Sequence, residues 1–546
     1  MSRRSRAIEV AVARIPGLLA AGRLQEAAGA CQQILAAAPN HADTMGLLAL
    51  VILRLGQPQT ATEWLNRAMQ QKPAGAPAYL VNCALTLLEM GHPEPALEAC
   101  QDALARKPSY PEAIQAAGHA LSDLGRADAA IDAYREALRL KPALHDIQNN
   151  LALVLGAASR LDEAEPLFRQ AAAREPRDPV LRANHAGVLK DLGRLDASEA
   201  AYRAALQLAP DGSSAHALVR YNLGTLLLLA GQLAEGWAAY AYRFAAGAVP
   251  FPPYSEPRWM GEPLDGRTLL IHAEQGLGDM LHMARYLPMV LERAGRPPGR
   301  VILAVARPLV RLLSIFPEIQ VIAAQVNGVG DPLPPFDVYC PAMSLPLVFR
   351  TTLETVPATI PYLHADPERA AYWRRRVGDL PGFRVGIAWA GNPHNKQMDR
   401  RRSLTIDRLD PLAAIAGVSF VSLQKDVPAA MSDGSALGRK LHDWTGELSD
   451  FSETACLIEA LDLVISVDTA VVHLAGALGR PIWLLNRADT DWRWGPGGDG
   501  ARNDSLWYPT LRQFRQPKAG EWEPVVQAVA EALAQARDDA AGPSRA

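Results

Sequence analysis

The chain has 546 residues and a formal net charge of −3, with 55 Lys and Arg against 58 Asp and Glu. Charge this balanced provides no global attraction to nucleic acid or an anionic membrane, and the length calls for several cores. No run of roughly 18 uncharged apolar residues is present to span a bilayer, and Glu9 interrupts the basic start before an apolar run of signal-peptide length develops. The five cysteines (Cys31, Cys83, Cys100, Cys340, Cys456) are scattered without ligand-like spacing, so a reducing, cytoplasmic setting is expected, with no disulfide and no structural metal.

In chain order, the first pattern is a repeat. Pro39, Pro73, Pro108, Pro142, Pro176 and Pro210 are spaced 34, 35, 34, 34 and 34 residues apart, and 17 residues before each stands a turn position: Gly22, Gly56, Gly91, Gly125, Ser159 and Gly193. That period, with a mid-repeat glycine and a terminal proline, predicts an α-solenoid of helix–turn–helix units over residues 1–245. The stripes Ala130–Tyr134–Ala137, Ala164–Phe168–Ala171 and Ser198–Tyr202–Ala205 put small, large and small residues on one helical face, the aromatic filling the gap between helices. Six repeats are regular, and a seventh begins near Ala217 with Gly224 and Gly231 in phase. The region resembles the tetratricopeptide repeat. Asn82, Asn150, Asn184 and Asn222 share one repeat position, where amides can bond the backbone of an extended peptide lying in the groove or simply tie helix to helix.

Residues 246–266 carry Pro250, Pro252, Pro253, Pro257 and Pro263 and read as a rigid connector. Short apolar strands then alternate with helical patterns: Thr268–His272, Val301–Val305, Val321–Ala323 and Asp337–Cys340, followed by Arg384–Trp389, Ser419–Leu423, Leu463–Val467 and Pro481–Leu485. Continuous apolar strands of this kind suit parallel sheets covered on both faces. Two Rossmann-like doubly wound domains facing a cleft are expected, over 267–378 and 379–537, with the tail 538–546 lacking structure.

In such sheets ligands bind beyond the carboxyl ends of the strands. After the first strand, Gln275, Gly276 and Gly278 form a tight loop that leads to Asp279, a residue type that fits a helix cap and a catalytic carboxylate alike. After the fifth strand, the run from Ala390 to Ser403 holds Asn392, Lys396 and Arg402, a polar, cationic loop suited to phosphate oxygens or simply to solvent. Gln424 follows the sixth strand and by that place is a further candidate contact for the same ligand, the donor. After the seventh come Asp468 and Thr469 at a helix N-terminus, a natural diphosphate site, with His473 four residues after Thr469 on the same side of the helix.

The segments Glu274–Asp279, Trp389–Pro393, Ser422–Lys425, Val467–Pro481 and Trp507–Arg515, together with Gly236, Trp237, Tyr240 and Arg243, resemble bacterial tetratricopeptide-repeat glycosyltransferases whose catalytic half is heptosyltransferase-like. The resemblance implies a GT-B fold and a metal-independent, inverting transferase that uses a nucleotide-sugar as donor substrate and needs no cofactor. It gives Asp279 the role of catalytic base and Lys396 that of a phosphate contact, and it makes Asp468, Thr469 and His473 the donor motif. Ala470 departs from the glycine usual in heptosyltransferases and argues against an ADP-heptose donor. A protein recruited by the repeat groove is the acceptor this layout implies. The alternatives are a lipopolysaccharide or other surface-glycan acceptor, and a non-catalytic scaffold with a degenerate transferase half.

Overall fold

Every turn placed by the 34-residue spacing is made by a residue in the left-handed region. Gly22, Gly56, Gly91, Gly125, Gly193 and Gly231 have φ between 68° and 80°, and Ser159 reaches 59° without being glycine. The residue after each turn donates its N–H back to a carbonyl five residues earlier (Arg23 to Leu18, Arg126 to Leu121, Gln232 to Leu227, for example), closing the preceding helix. The computed structural model describes residues 3–71, 77–142, 145–325, 329–391, 401–425, 434–495 and 503–541. Pro73, Asn392 and Lys396 lie outside them.

The described residues form two compact units, Met1–Arg174 and Glu175–Ala546. The first holds five helix pairs, from Arg3–Ala20 with Leu24–Ala37 to His145–Ala157 with Leu161–Arg174. Its predicted stripe is buried: Ala130, Tyr134 and Ala137 are all at most 2% exposed. The Tyr134 ring lies where a Cβ on Gly118 would come within 2.7 Å of it, so glycine there is what lets the aromatic fill the gap between helices. Asn82 borders a small pocket of this unit, whereas the Asn150 amide bonds the His119 ring at 2.9 Å and ties neighbouring helices together.

The second unit opens with two more helix pairs, Pro179–Asp191 with Leu195–Leu208 and Ser214–Leu229 with Leu233–Tyr240. The connector follows without a helix, held by Trp259, whose N–H bonds the Tyr339 carbonyl at 2.8 Å. Next comes a four-stranded parallel sheet in the order β3-β2-β1-β4: β1 Thr268–His272, β2 Arg300–Val305, β3 Ile319–Ala323 and β4 Val338–Pro341. A six-stranded parallel sheet follows in the order β10-β9-β8-β5-β6-β7: β5 Phe383–Ala388, β6 Val418–Ser422, β7 Leu441–His442, β8 Leu463–Val467, β9 Ile482–Asn486 and β10 Leu511–Arg515. All eight predicted strands are present, within one or two residues at their ends, and the arrangement is consistent with GT-B. β7 and β10 are additional edge strands. In each sheet the chain runs outward from its first strand and then returns to that strand's other side, so the topological switch points fall beyond β1 and between β5 and β8.

The helix Pro367–Gly378 begins at Asp366, whose side chain accepts the Arg369 N–H at 2.9 Å. It is fixed to the helix Phe451–Glu459 through Glu453, which takes hydrogen bonds from Arg369 and Trp373 at 3.0 Å each. The C-terminal helix spans Glu523–Ala541 and so continues to Ala541 through the first four residues of the tail expected to lack structure, the rest of which lies outside the described residues. All five cysteines are free thiols and buried.

Close backbone packing in the last helix pair gives a stability prediction. A Cβ on Gly224 would stand 2.6 Å from the Tyr240 nitrogen and 2.8 Å from the Ala239 carbonyl carbon, atoms that cannot rotate away. Gly224→Ala is expected to cost roughly 1–3 kcal/mol by overpacking. Gly378→Ala, with nothing within 4 Å, is expected to be neutral or slightly stabilising. Urea unfolding midpoints of the two variants check this; equal midpoints would contradict it.

Candidate active site

A cavity of 910 Å³ lies at the carboxyl ends of β1, β5, β6, β8 and β9. Loops from both sheets line it, and so do Asp191, Asn222 and Thr225 of the last two helix pairs.

From the first sheet comes the glycine loop. Asp279 is the third residue of the helix Leu277–Met283, and its carboxylate accepts the Gly276 N–H at 2.8 Å, closing the loop on itself. Its other oxygen is ion-paired with Arg493 from the loop after β9. Gln275 is fixed by the Tyr240 hydroxyl at 2.9 Å, and Glu274 by two hydrogen bonds from Arg243, at 2.9 and 2.7 Å. Tyr240 and Arg243 thus clamp the loop from the end of the repeats. A Cβ on Gly278 would come within 2.7 Å of the His473 ring, so glycine there is what lets the two halves of the cavity wall meet.

The second sheet supplies the charged part. Thr469 caps the helix Ala470–Ala477, accepting the Val471 N–H at 3.3 Å. Arg402 donates to the Asp468 carbonyl at 2.9 Å and lies against Gly391. Gln424 accepts the N–H groups of Trp389 and Ala390, at 3.0 and 2.8 Å, and so shapes the loop after β5. Asp279, Gln275, Gly276, Gly278, Arg402, Gln424, Asp468, Thr469, His473 and Asn222 therefore share one cavity wall. Asn82 and Asn150 belong to the other unit, and Asn184 is engaged in an interaction of its own.

The loop after β9 was not singled out from the sequence, although Arg487, Asp489, Asp491, Trp492 and Arg493 directly follow a predicted strand. It could have been found by applying the strand-end rule to the eighth strand. Arg493 bridges Asp279 and Asp491 and stacks on Trp492 at 4.1 Å. Burial opposes its charge, but Asp491 and Asp279 override that and hold the guanidinium above its ordinary pKa. Burial likewise works against the Asp491 carboxylate, but Arg493 outweighs it and holds the group below the usual range. Burial, with Asp491 nearby, pushes the Asp468 carboxyl above that range, against the pull of Arg487 and Arg402. Arg401 joins Asp489 to Asp191 of the helix Pro179–Asp191.

Behind this wall, Tyr508 bonds His473 Nδ1 at 2.9 Å and His282 Nδ1 at 3.1 Å. Burial holds both imidazoles well below their ordinary pKa, helped by Arg493 at His473 and Arg285 at His282.

With this geometry in place, sequence comparisons define the class. Tetratricopeptide-repeat models match residues 18–81 and 63–211, and the glycosyltransferase family 9 (heptosyltransferase) model matches residues 445–522, which include β8, β9, β10 and Asp468, Thr469 and His473. The chain thus matches tetratricopeptide repeats in its first half and a family 9 glycosyltransferase domain near its end, consistent with a tetratricopeptide-repeat glycosyltransferase. Among individual proteins, FlbA of Caulobacter vibrioides is 33% identical over 352 residues, covering 60% of this chain and 57% of that protein; the chain thus spans little more than half the length of this relative. A tetratricopeptide repeat protein from Parabacteroides merdae is 18% identical over 44% of this chain and 94% of its own, with a TM-score of 0.34. A thermophilic repeat protein of Thermus thermophilus is 27% identical over 34% of this chain and 100% of its own, with a TM-score of 0.30. Among the described residues no helix is long and apolar enough to cross a membrane.

The buried imidazoles set a pH dependence. Burial also lowers the pKa of His272. Because the folded-state values lie below the unfolded value near 6.5, the unfolded chain binds protons first and stability falls as pH falls through that value. Each histidine kept neutral in the fold contributes a slope of about 1.4 kcal/mol per pH unit below it. Asp468 and Asp489, whose carboxyls burial holds above the usual range, work in the opposite direction at lower pH. The test is therefore made above the carboxylate range: the urea midpoint is expected to be lower at pH 6.0 than at pH 7.5. An unchanged midpoint would mean these histidines are not kept neutral.

Proposed function

We propose that the protein transfers a sugar from a nucleotide-sugar donor to a hydroxyl of a protein acceptor, without a metal and with inversion. The observation that carries this reading is the single cavity in which a glycine-loop carboxylate, a helix N-terminus, several arginines and side chains of the last repeats come together.

The donor diphosphate would lie against Thr469 and the first turn of its helix, where free N–H groups and the helix dipole favour negative charge. Arg402 would meet the charge growing on the leaving diphosphate, and Lys396 is proposed to do so from the loop after β5. Asn392 is proposed as a further donor contact on the same loop, and Asp468 as an acceptor for donor hydroxyls. The acceptor oxygen attacks the anomeric carbon as the bond to the diphosphate breaks, and Asp279 takes the hydroxyl proton. One partner on each Asp279 oxygen, the Gly276 N–H and Arg493, leaves each oxygen a further lone pair with which to take the proton. Arg493 is also the cation able to turn toward a diphosphate in the same cavity, whereas the Gly276 N–H belongs to the loop itself. Asn222 and Thr225 on the cavity wall support an acceptor delivered by the repeats. The cytoplasm, where nucleotide-sugars are made, is the proposed site of action.

The test is to incubate the full chain with a panel of nucleotide-sugars and soluble protein from its own source, and to read intact masses. A protein is expected to gain one sugar mass, at a rate at least about 100-fold lower with Asp279→Ala. Label entering glycolipid would move the acceptor to a glycan. Nucleotide binding without any transfer would point to a scaffold.

A further inference from the structure

The hydroxyl of Tyr508 faces two imidazole nitrogens, Nδ1 of His473 at 2.9 Å and Nδ1 of His282 at 3.1 Å. A phenol has one proton to give and can also accept. Two neutral rings can therefore be served only if one receives the phenolic proton and the other donates its own N–H to the phenolic oxygen. Tyr362 is a poor rival for that proton, since its oxygen already accepts from Arg285 at 3.2 Å and lies at the outer limit of hydrogen-bond distance from Tyr508. Its hydroxyl donates to the Leu281 carbonyl at 3.0 Å and stands 3.5 Å from Tyr508. Burial holds the Tyr508 phenol far above its ordinary pKa, so the proton is there to give.

Which ring donates follows from the opposite edge of each. His282 is fully buried, and its Nε2 has no hydrogen-bond partner among the described residues. A buried N–H left without an acceptor is a rare and costly arrangement, more so than a bare lone pair. The proton of His282 therefore belongs on Nδ1, directed at Tyr508, and Tyr508 must in turn donate to His473. That leaves the proton of His473 on Nε2, on the edge of the ring that faces Gly278 in the cavity wall.

We propose that Tyr508 is a positioning residue that fixes His473 as an Nε2–H hydrogen-bond donor toward the cavity, with His282 as the second ring of the relay. His473 then offers a proton to an oxygen of the nucleotide-sugar, phosphate or hydroxyl, and cannot act as a base there. The relay is built to be rigid. A Cβ on Gly476 would stand 2.3 Å from the Tyr508 ring, and the Arg285 guanidinium lies over that ring at 4.7 Å. The Trp494 ring stacks on His473 with centroids 5.1 Å apart.

The role given to the Nε2–H rests on the donor-site reading above; the tautomers themselves do not. Protein labelled with ¹⁵N-histidine is examined by two-bond ¹H–¹⁵N correlation at pH 7.5, with signals assigned through His282→Gln and His473→Gln. Wild-type protein is expected to show His282 protonated at Nδ1 and His473 at Nε2. A proton on Nδ1 of His473 overturns the proposal, and this measurement needs no variant that might fail to fold. In Tyr508→Phe, His473 is expected to become a mixture of tautomers and the affinity for UDP, ADP or GDP, whichever binds, to fall on the order of ten-fold. An unchanged tautomer and affinity in that variant would overturn the positioning role. Failure of all three nucleotides to bind wild-type protein would count against the donor-site reading, and the tautomer spectrum would still decide the relay.

Discussion

A buried ion pair holds the first parallel sheet to the last helix pair. Arg243 and Glu274 have side chains only 1% and 4% exposed and meet through two hydrogen bonds, while the Met343 N–H and the Ser344 hydroxyl fill the remaining positions at 3.0 and 2.7 Å. Taking two charges out of water costs several kcal/mol per ion, and only geometry this complete offsets it. Loss of one partner would leave the other buried and unpaired, a penalty of roughly 3–5 kcal/mol. The glycine loop begins at the very next residue, so its position is set by the end of the repeats. Trp237 and Tyr240 belong to the same hydrophobic core as Trp259, Trp492 and Trp507, which makes the last helix pair part of the α/β body.

The cavity that this contact helps to shape is closely balanced in charge. Arg402, Arg487 and Arg493 face Asp279, Asp468, Asp489 and Asp491, and the opposite pKa directions of Asp468 and Asp491 show how unevenly the cations are shared. A diphosphate entering such a site competes with carboxylates for arginines already held in place. Arginine suits this exchange better than lysine, because its planar fork can keep one carboxylate while turning another N–H toward a phosphate. The topology places these groups together. Both sheets reverse direction beside their first strands, so the loops after β1, β5 and β8 open on one crevice.

Much of this was legible in the sequence, for physical reasons that differ by region. The repeats were readable because each turn requires a left-handed residue and each helix interface a small one, and both leave a periodic trace; Ser159 keeps the geometry with φ of 59° where the glycine is missing. The inner strands were readable because burial on both faces makes them continuously apolar, as with β8, which is buried along its whole length. β10 was missed because Leu-Arg-Gln-Phe-Arg has three polar residues in five, neither alternating nor continuously apolar, and β7 because two residues carry no pattern. The loops after β1 and β8 announced themselves through glycines and a capping threonine. Arg493 did not, because its meaning lies in a partner 214 residues away. Gln424 was read as a donor contact from its place after a strand, and only the fold shows that its amide oxygen is already committed to two backbone N–H groups.

Repeat arrays ordinarily behave as nearly independent units, each touching only its neighbours, so a change in one repeat stays local. The last two pairs of this chain have lost that independence. Asp191 ends a repeat helix yet is paired with Arg401, which also holds Asp489 and stands next to Arg402 on the cavity wall. Asn222 sits on a repeat helix yet lines the same cavity as Asp279. A side chain that moves at the end of the repeats must therefore move a charge or an amide in this cavity, through contacts of no more than one or two residues. In this unit the repeat wall of the cavity and the loops after β5 and β9 draw on the same set of ion pairs, and a change in either is felt by the other.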